Sequence, residues 1–131
     1  SIDYFYMKKM YKETLEQVSE LERATGPDAH LNTLRAGVLA QLGNVQPGRD
    51  ELKTALELEP DLAEAVNLAI ALDLAARDEA GALAKITDAR KRNVALGTVS
   101  QNPDYVAFMA KPDTKKKLAA PEAAPNDEKK P

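Results

Sequence analysis

Residues 55–65 read ALELEPDLAEA, and this stretch decides the fold. Ala55, Leu56 and Leu58 close an apolar-periodic run that includes Leu52. Pro60 ends that run, because its ring clashes with the preceding turn and it has no amide to donate. It also pushes Glu59 out of the helical region. Asp61 then offers an oxygen to the free amides of a new helix, and Glu64, three residues on, completes a capping-box-like pair. Two helices joined by about three residues pack as antiparallel neighbours.

Outward from this junction, a step of about 34 residues recovers the same pattern. Stepping back, Pro60 falls on Gly26 of the GPD breaker, Leu52 on Val18, Ala55 on Leu21 and Val45 on Tyr11. Stepping forward, Leu52 falls on Ile86, Ala55 on Ala89 and Gly48 on Ala82. The alanine, leucine and proline that end one helix and open the next, with this period, resemble the junction of two tetratricopeptide repeats. The resemblance implies an all-α fold, a tetratricopeptide-like antiparallel helix-pair array (an α-α superhelix) with a C-terminal capping helix. It implies two full helix pairs with a truncated pair in front. Residues 1–110 are expected to form the array, and 111–131 a short helical turn and a flexible tail. The expected setting is the C-terminal module of a larger bacterial protein.

Composition agrees with a helical domain. The chain has 131 residues, 44% of them hydrophobic, and the apolar content is mostly Ala and Leu, which favour helix. A net charge of −3 and a pI near 5.2 argue against a nucleic-acid partner, which needs concentrated basic surface. No run of about 18 apolar residues exists, so no membrane insertion is expected. No basic-then-apolar leader opens the chain, and Ser1 reads as a cut within a longer parent. The absence of cysteine removes a disulfide framework, a thiolate nucleophile and a cysteine zinc site. The compartment stays open.

In chain order, residues 2–9 carry Tyr4, Phe5, Tyr6 and Met7 in a row, too apolar for a free end. They are expected to finish a first helix that began in the parent. The exposed surface would then allow a homodimer through the N-terminal end. Residues 11–24 form the next helix, with Tyr11, Leu15, Val18 and Leu21 as its inward stripe. Gly26 and Pro27 stop it, and Asp28 caps the next. Residues 30–42 follow with Leu31, Leu34, Val38 and Leu42 as their stripe, and Gly43 as the residue that tolerates a left-handed conformation. Pro47 suits the first turn of a helix running to Leu58. Residues 62–76 are apolar almost all round, as in a helix buried on more than one side. Asp73 interrupts this; it is expected to be exposed or partnered, with a solvated acid as the favoured reading. Residues 79–92 turn Ala82, Leu83, Ile86 and Ala89 inward and end in cations that suit the helix dipole. A connector holding Gly97 leads to Asn102-Pro103-Asp104 and a short helix whose Tyr105 and Phe108 cap the stack. Pro112 starts a last turn or two. From Ala119 to Pro131 the Ala, Pro, Glu, Lys and Asn content predicts a disordered tail.

The chain carries no convincing catalytic set. His30 is the only histidine, and Ser1, Ser19 and Ser100 lie in no nucleophile-elbow pattern. One histidine with scattered acids gives no metal-ligand spacing, so no metal and no cofactor are expected. Adjacent acids such as Asp50 and Glu51 do not face each other on a helix, and no glycine-rich phosphate loop occurs. The chain is therefore read as no enzyme. In the family it resembles, the first helices of successive repeats line a concave groove. Carried over, that face presents His30, Thr33, Leu34, Gly37 and Gln41 from one repeat, and Glu64, Asn67, Leu68, Ala71 and Ala75 from the next. Only Asn67 fits the polar clamp by which some members hold an acidic C-terminus. The face is small and apolar with a polar fringe, which suits a partner peptide or helix laid in a groove. The alternatives are a self-association module and an accessory domain of a larger enzyme.

Overall fold

The computed structural model describes residues 2–120, and among them every regular element is helical. The order is α1 (Ile2–Thr25), α2 (Ala29–Gln41), α3 (Val45–Leu58), α4 (Ala63–Ala75), α5 (Glu79–Arg92), a 3₁₀ turn (Val99–Gln101), α6 (Pro103–Ala110) and α7 (Pro112–Ala119). The part of the expected tail from residue 121 on lies outside the described residues.

The bounds of α4 and α5 lie 34 residues after those of α2 and α3, at both ends of each helix. The turns recur with them. After α2, the Gly43 amide donates to Ala40 O at 3.0 Å and the Asn44 amide to Leu39 O at 2.8 Å. After α4, the Arg77 amide donates to Leu74 O at 3.1 Å and the Asp78 amide to Asp73 O at 2.8 Å. This closure needs a left-handed residue after the helix. Gly43 supplies it at φ +83°, but its counterpart Arg77 is forced to φ +62°. Arg77→Gly relieves roughly 1–2 kcal/mol of Cβ strain and gives back roughly 0.5–1 kcal/mol in chain entropy. A net gain of about 0.5 kcal/mol is expected, seen as a higher midpoint in thermal unfolding. A lower midpoint would show that Arg77 is not strained.

Two apolar clusters hold the helices together. The first joins Ala29 and Ala36 of α2, Leu52 and Ala55 of α3, and Ala65, Ala69 and Leu72 of α4. Five alanines in seven positions let the backbones approach closely. Gly48 takes this furthest: a Cβ there would meet Leu72 at 3.0 Å and the Ala36 carbonyl at 3.1 Å. The second cluster joins Val66, Ile70 and Leu74 of α4 to Ala82, Ile86 and Ala89 of α5. Val99, Tyr105 and Phe108 complete it, buried against α4 and α5. α6 packs on α4 as α4 packs on α2, and α7 lies against α5 and α6 with Thr114 buried and Leu118 partly so.

Four expectations need correction. Residues 2–25 form one helix rather than the end of one and the start of another. The sequence MKKMYK contains no breaker, and its residues are good or fair helix formers. Leu21 is half exposed, because α1 packs on α2 along one stripe only, through Val18. Asp61 does not cap α4: Leu62 occupies the cap position without a side-chain bond, and Asp61 pairs with Arg92. The turn closed by the Leu62 amide on Glu59 O starts the helix one residue later than the capping pattern requires. Finally, Asp73 is no solvated acid. It is 2% exposed, and Arg49 and Lys85 both hold it.

Candidate functional site

The face nominated from sequence is divided by the fold. Thr33, Leu34, Gly37 and Gln41 on α2 and Glu64 and Leu68 on α4 come together with Tyr11, His30 and Val38. They line an open groove of about 530 Å³. Asn67, Ala71 and Ala75 do not join it. They lie 34 residues after Thr33, Gly37 and Gln41, and the physical reason is this equivalence. The stripe by which α2 faces α4 becomes, on α4, the stripe that faces the C-terminal segment. Gly37 looks onto Leu68, where an added Cβ would sit 3.8 Å away. Asn67 is 4% exposed and binds the connector instead. Its amide donates to Ala95 O at 2.8 Å and to Ala63 O at 2.7 Å, and its carbonyl accepts from the Val99 amide at 2.9 Å. Ala71 packs against the cluster that contains Tyr105 and Phe108. Ala75 lines a separate hollow with Phe108 and Lys111.

Within the groove, Leu34 is 51% exposed while its neighbour Thr33 is buried, its hydroxyl donating to Ala29 O at 2.8 Å. Leu34, Gly37, Val38 and Leu68 make the apolar floor, and Gln41 and Tyr11 form one end. The other end is acidic and centres on His30. Asp28 caps α2 by accepting from the His30 and Leu31 amides at 2.7 and 3.1 Å. The His30 ring places Nδ1 2.5 Å from Glu64 Oε1 and Nε2 3.7 Å from Glu59 Oε2. The His30 pKa is raised above its usual value. The hydrogen bond to Glu64 is the largest cause; desolvation opposes it, and the charges of Glu64, Glu59 and Asp28 add to it. A raised folded-state pKa means that the stabilisation is complete below pH 6.5 and fades as pH rises through the folded value. In an NMR titration the His30 ring should therefore titrate above 6.5, and Glu64→Gln should bring it back down. An unmoved midpoint in that variant would remove Glu64 as the cause.

A second cleft, of about 560 Å³, lies between α3 and α5 and is lined by Arg49, Lys53, Asp73 and Lys85 with Asp50 and Glu57. Arg49 Nε donates to Asp73 Oδ1 at 3.1 Å, Lys85 Nζ to Asp73 Oδ2 at 2.6 Å, and Arg49 Nη2 to Asp78 Oδ2 at 2.5 Å. The Arg49 pKa is raised: desolvation, the largest influence, lowers it, and the charge and hydrogen bonds of Asp73 and Asp78 outweigh that. The Asp78 pKa is lowered, first by the hydrogen bond it accepts from the Gly81 amide and then by Arg49. Cations and acids here neutralise one another, so the cleft selects neither an anion nor a cation. It locks α4 between α3 and α5. Sequence reasoning missed this network, although a lone acid in an otherwise apolar helix was its visible sign. A similar lock joins the first helices: Arg35 of α2 donates to Glu22 of α1 and to Glu51 of α3, each at 3.0 Å.

Among the described residues no group of three His, Cys, Asp or Glu side chains converges as a metal site would require. No helix among them is long and apolar enough to cross a membrane. No family model, no curated protein and no solved structure matches this chain.

Proposed function

We propose that the chain is a non-catalytic, tetratricopeptide-like protein-interaction module that binds a peptide or helix of a partner protein in the groove between α2 and α4. The observation that carries this reading is the half-exposed Leu34 on an open apolar floor. Its backbone neighbours are held by the α2–α4 contact and by the Asp28 cap. The 34-residue offset of both helix pairs and their closing turns supports the repeat assignment. A rigid groove with an apolar floor and polar ends suits an amphipathic helix, whose i, i+3 and i+4 side chains enter the floor. Selectivity then comes from the ends, where the acids around His30 favour a basic residue on the ligand.

Selection of helical peptides from a random library tests this. Selected peptides should shift the backbone NMR signals of Leu34, Gly37, Gln41 and Leu68. Leu34→Glu should weaken binding at least about tenfold, a loss of about 1.4 kcal/mol, without changing the helical circular dichroism. Peptides that map to the cleft between α3 and α5 would sink the groove reading.

A further inference from the structure

The groove ends at Tyr11, and from Tyr11 towards its N-terminus α1 continues alone. α1 has 24 residues and its antiparallel neighbour α2 has 13, so the first turns of α1 run past the end of α2. Residues 2–10 are exposed throughout. At 1.5 Å per residue they project by roughly 14 Å. This overhang is far from polar: Ile2 is 80% exposed, Phe5 78% and Met10 60%, with Tyr6 and Met7 also open. Lys8, Lys9 and Lys12 are interleaved with these side chains and make no ion pair among the described residues. A helix end with apolar side chains all round and lysines beside Phe5 is thus presented near an apolar groove whose far end is acidic.

We propose that the groove of one chain takes the α1 overhang of a second copy, and that the exchange is reciprocal, giving a two-fold dimer. This rests on the groove being the binding face, and it names the occupant. Ile2 and Phe5, one helical turn apart, meet the floor at Leu34 and Leu68, while Lys8 and Lys9, a turn further along the same face, approach Glu59 and Glu64. Reciprocity follows from Tyr11, which both lines the groove and begins the overhang. Overhang and groove therefore share one side of the molecule, and a two-fold axis can pair each with its complement. A one-way insertion would instead build open chains. The area is adequate. Large side chains contribute on the order of 100 Å² each when half to four-fifths open. One face of the overhang with the groove it fills brings each chain to roughly 600–800 Å², near the ~800 Å² per partner of a standard interface.

Sedimentation velocity on the full chain, from about 1 to about 500 µM, reads the proposal. A monomer–dimer equilibrium is expected. Ile2→Asp with Phe5→Asp should raise the dissociation constant at least tenfold, and so should Leu34→Glu. These side chains are exposed, so helical circular dichroism should not change in either variant. Glu64→Lys should weaken the dimer, and adding Lys8→Glu and Lys9→Glu to the same chain should restore part of the loss. A chain that is monomeric throughout overturns the proposal, as does assembly into open chains. A dimer lost with the Ile2 and Phe5 changes but indifferent to Leu34→Glu also overturns it, since the overhangs would then pair with each other. Loss with Leu34→Glu alone overturns it too, because another part of the chain would fill the groove. In each of these cases the library-peptide mapping is read separately. If the peptides still map to the groove, only the identity of the occupant has failed; if they do not, the binding reading has failed as well.

Discussion

Ala55→Glu is expected to lower the unfolding free energy by about 4 kcal/mol or more. Ala55 is 0% exposed and sits among Ala29, Ala36, Leu52, Ala65, Ala69 and Leu72. Those neighbours offer no hydrogen-bond partner to a carboxylate. The added side chain also needs volume at a point where alanines set the spacing of α2, α3 and α4, so overpacking adds to desolvation. A domain of this size holds only about 5–15 kcal/mol in total, so the variant lies near the limit of folding. The buried carboxyl would have a raised pKa, so its destabilisation is smaller at pH 4 and grows as pH rises. Ala84→Glu on the exposed side of α5 is the matched control, expected within about 0.5 kcal/mol of the parent. Urea unfolding followed by helical circular dichroism decides it. A loss below about 1 kcal/mol for Ala55→Glu would mean that α3 is not packed on this face.

The second large effect is expected at Asp73. Asp73→Ala removes the carboxylate that Arg49 and Lys85 share, leaving Lys85 without a counter-charge and Arg49 with Asp78 alone. Breaking a buried pair costs about 3–5 kcal/mol. Here both cations reach solvent in part, with side chains 23% and 36% exposed. We therefore expect about 2–4 kcal/mol. The 34-residue offset pairs these positions with apolar ones for Asp73 and Arg49, though with Glu51 for Lys85. Thirty-four residues earlier, Leu39 occupies the position of Asp73, and Leu15 that of Arg49. Asp73→Leu combined with Arg49→Leu should destabilise less than Asp73→Ala alone, because apolar packing fills the space and the only cation that loses its partner is Lys85, 36% exposed. Chemical denaturation of the three proteins separates the cases. If the double variant is the least stable, the pair contributes more than its shape.

Much of the architecture was legible because its signals are local. Gly43 and Asn102 mark a helix end and a helix start through their own backbone chemistry, and the structure uses both. Leu52, Ala55, Ile86 and Ala89 were readable as core because helical spacing brings them to one face. The errors arose where a partner far along the chain decides. Asp73 looked like a solvated acid because nothing within a helical turn pairs with it; its partners lie 24 residues back and 12 residues on. The boundary expected near residue 10 came from the repeat period, whereas the residues there have no reason to stop a helix.

The candidate site divides in the same way. Seven of its nominated residues meet in the groove, because His30, Thr33, Leu34, Gly37 and Gln41 share a face of α2, while Glu64 and Leu68 share one of α4. Helical geometry alone supplies that. Asn67, Ala71 and Ala75 share a face as well, but the 94–110 segment folds back over α4 and covers the first two of them. The sequence by itself determined the helices and breaks after residue 25 and their 34-residue recurrence, since backbone preference and side-chain period act over one or two turns. The tertiary structure alone decided which stripe of α4 is open, which acid is buried and that α1 runs beyond its neighbour. Those depend on contacts between residues tens of positions apart, for which no local preference exists.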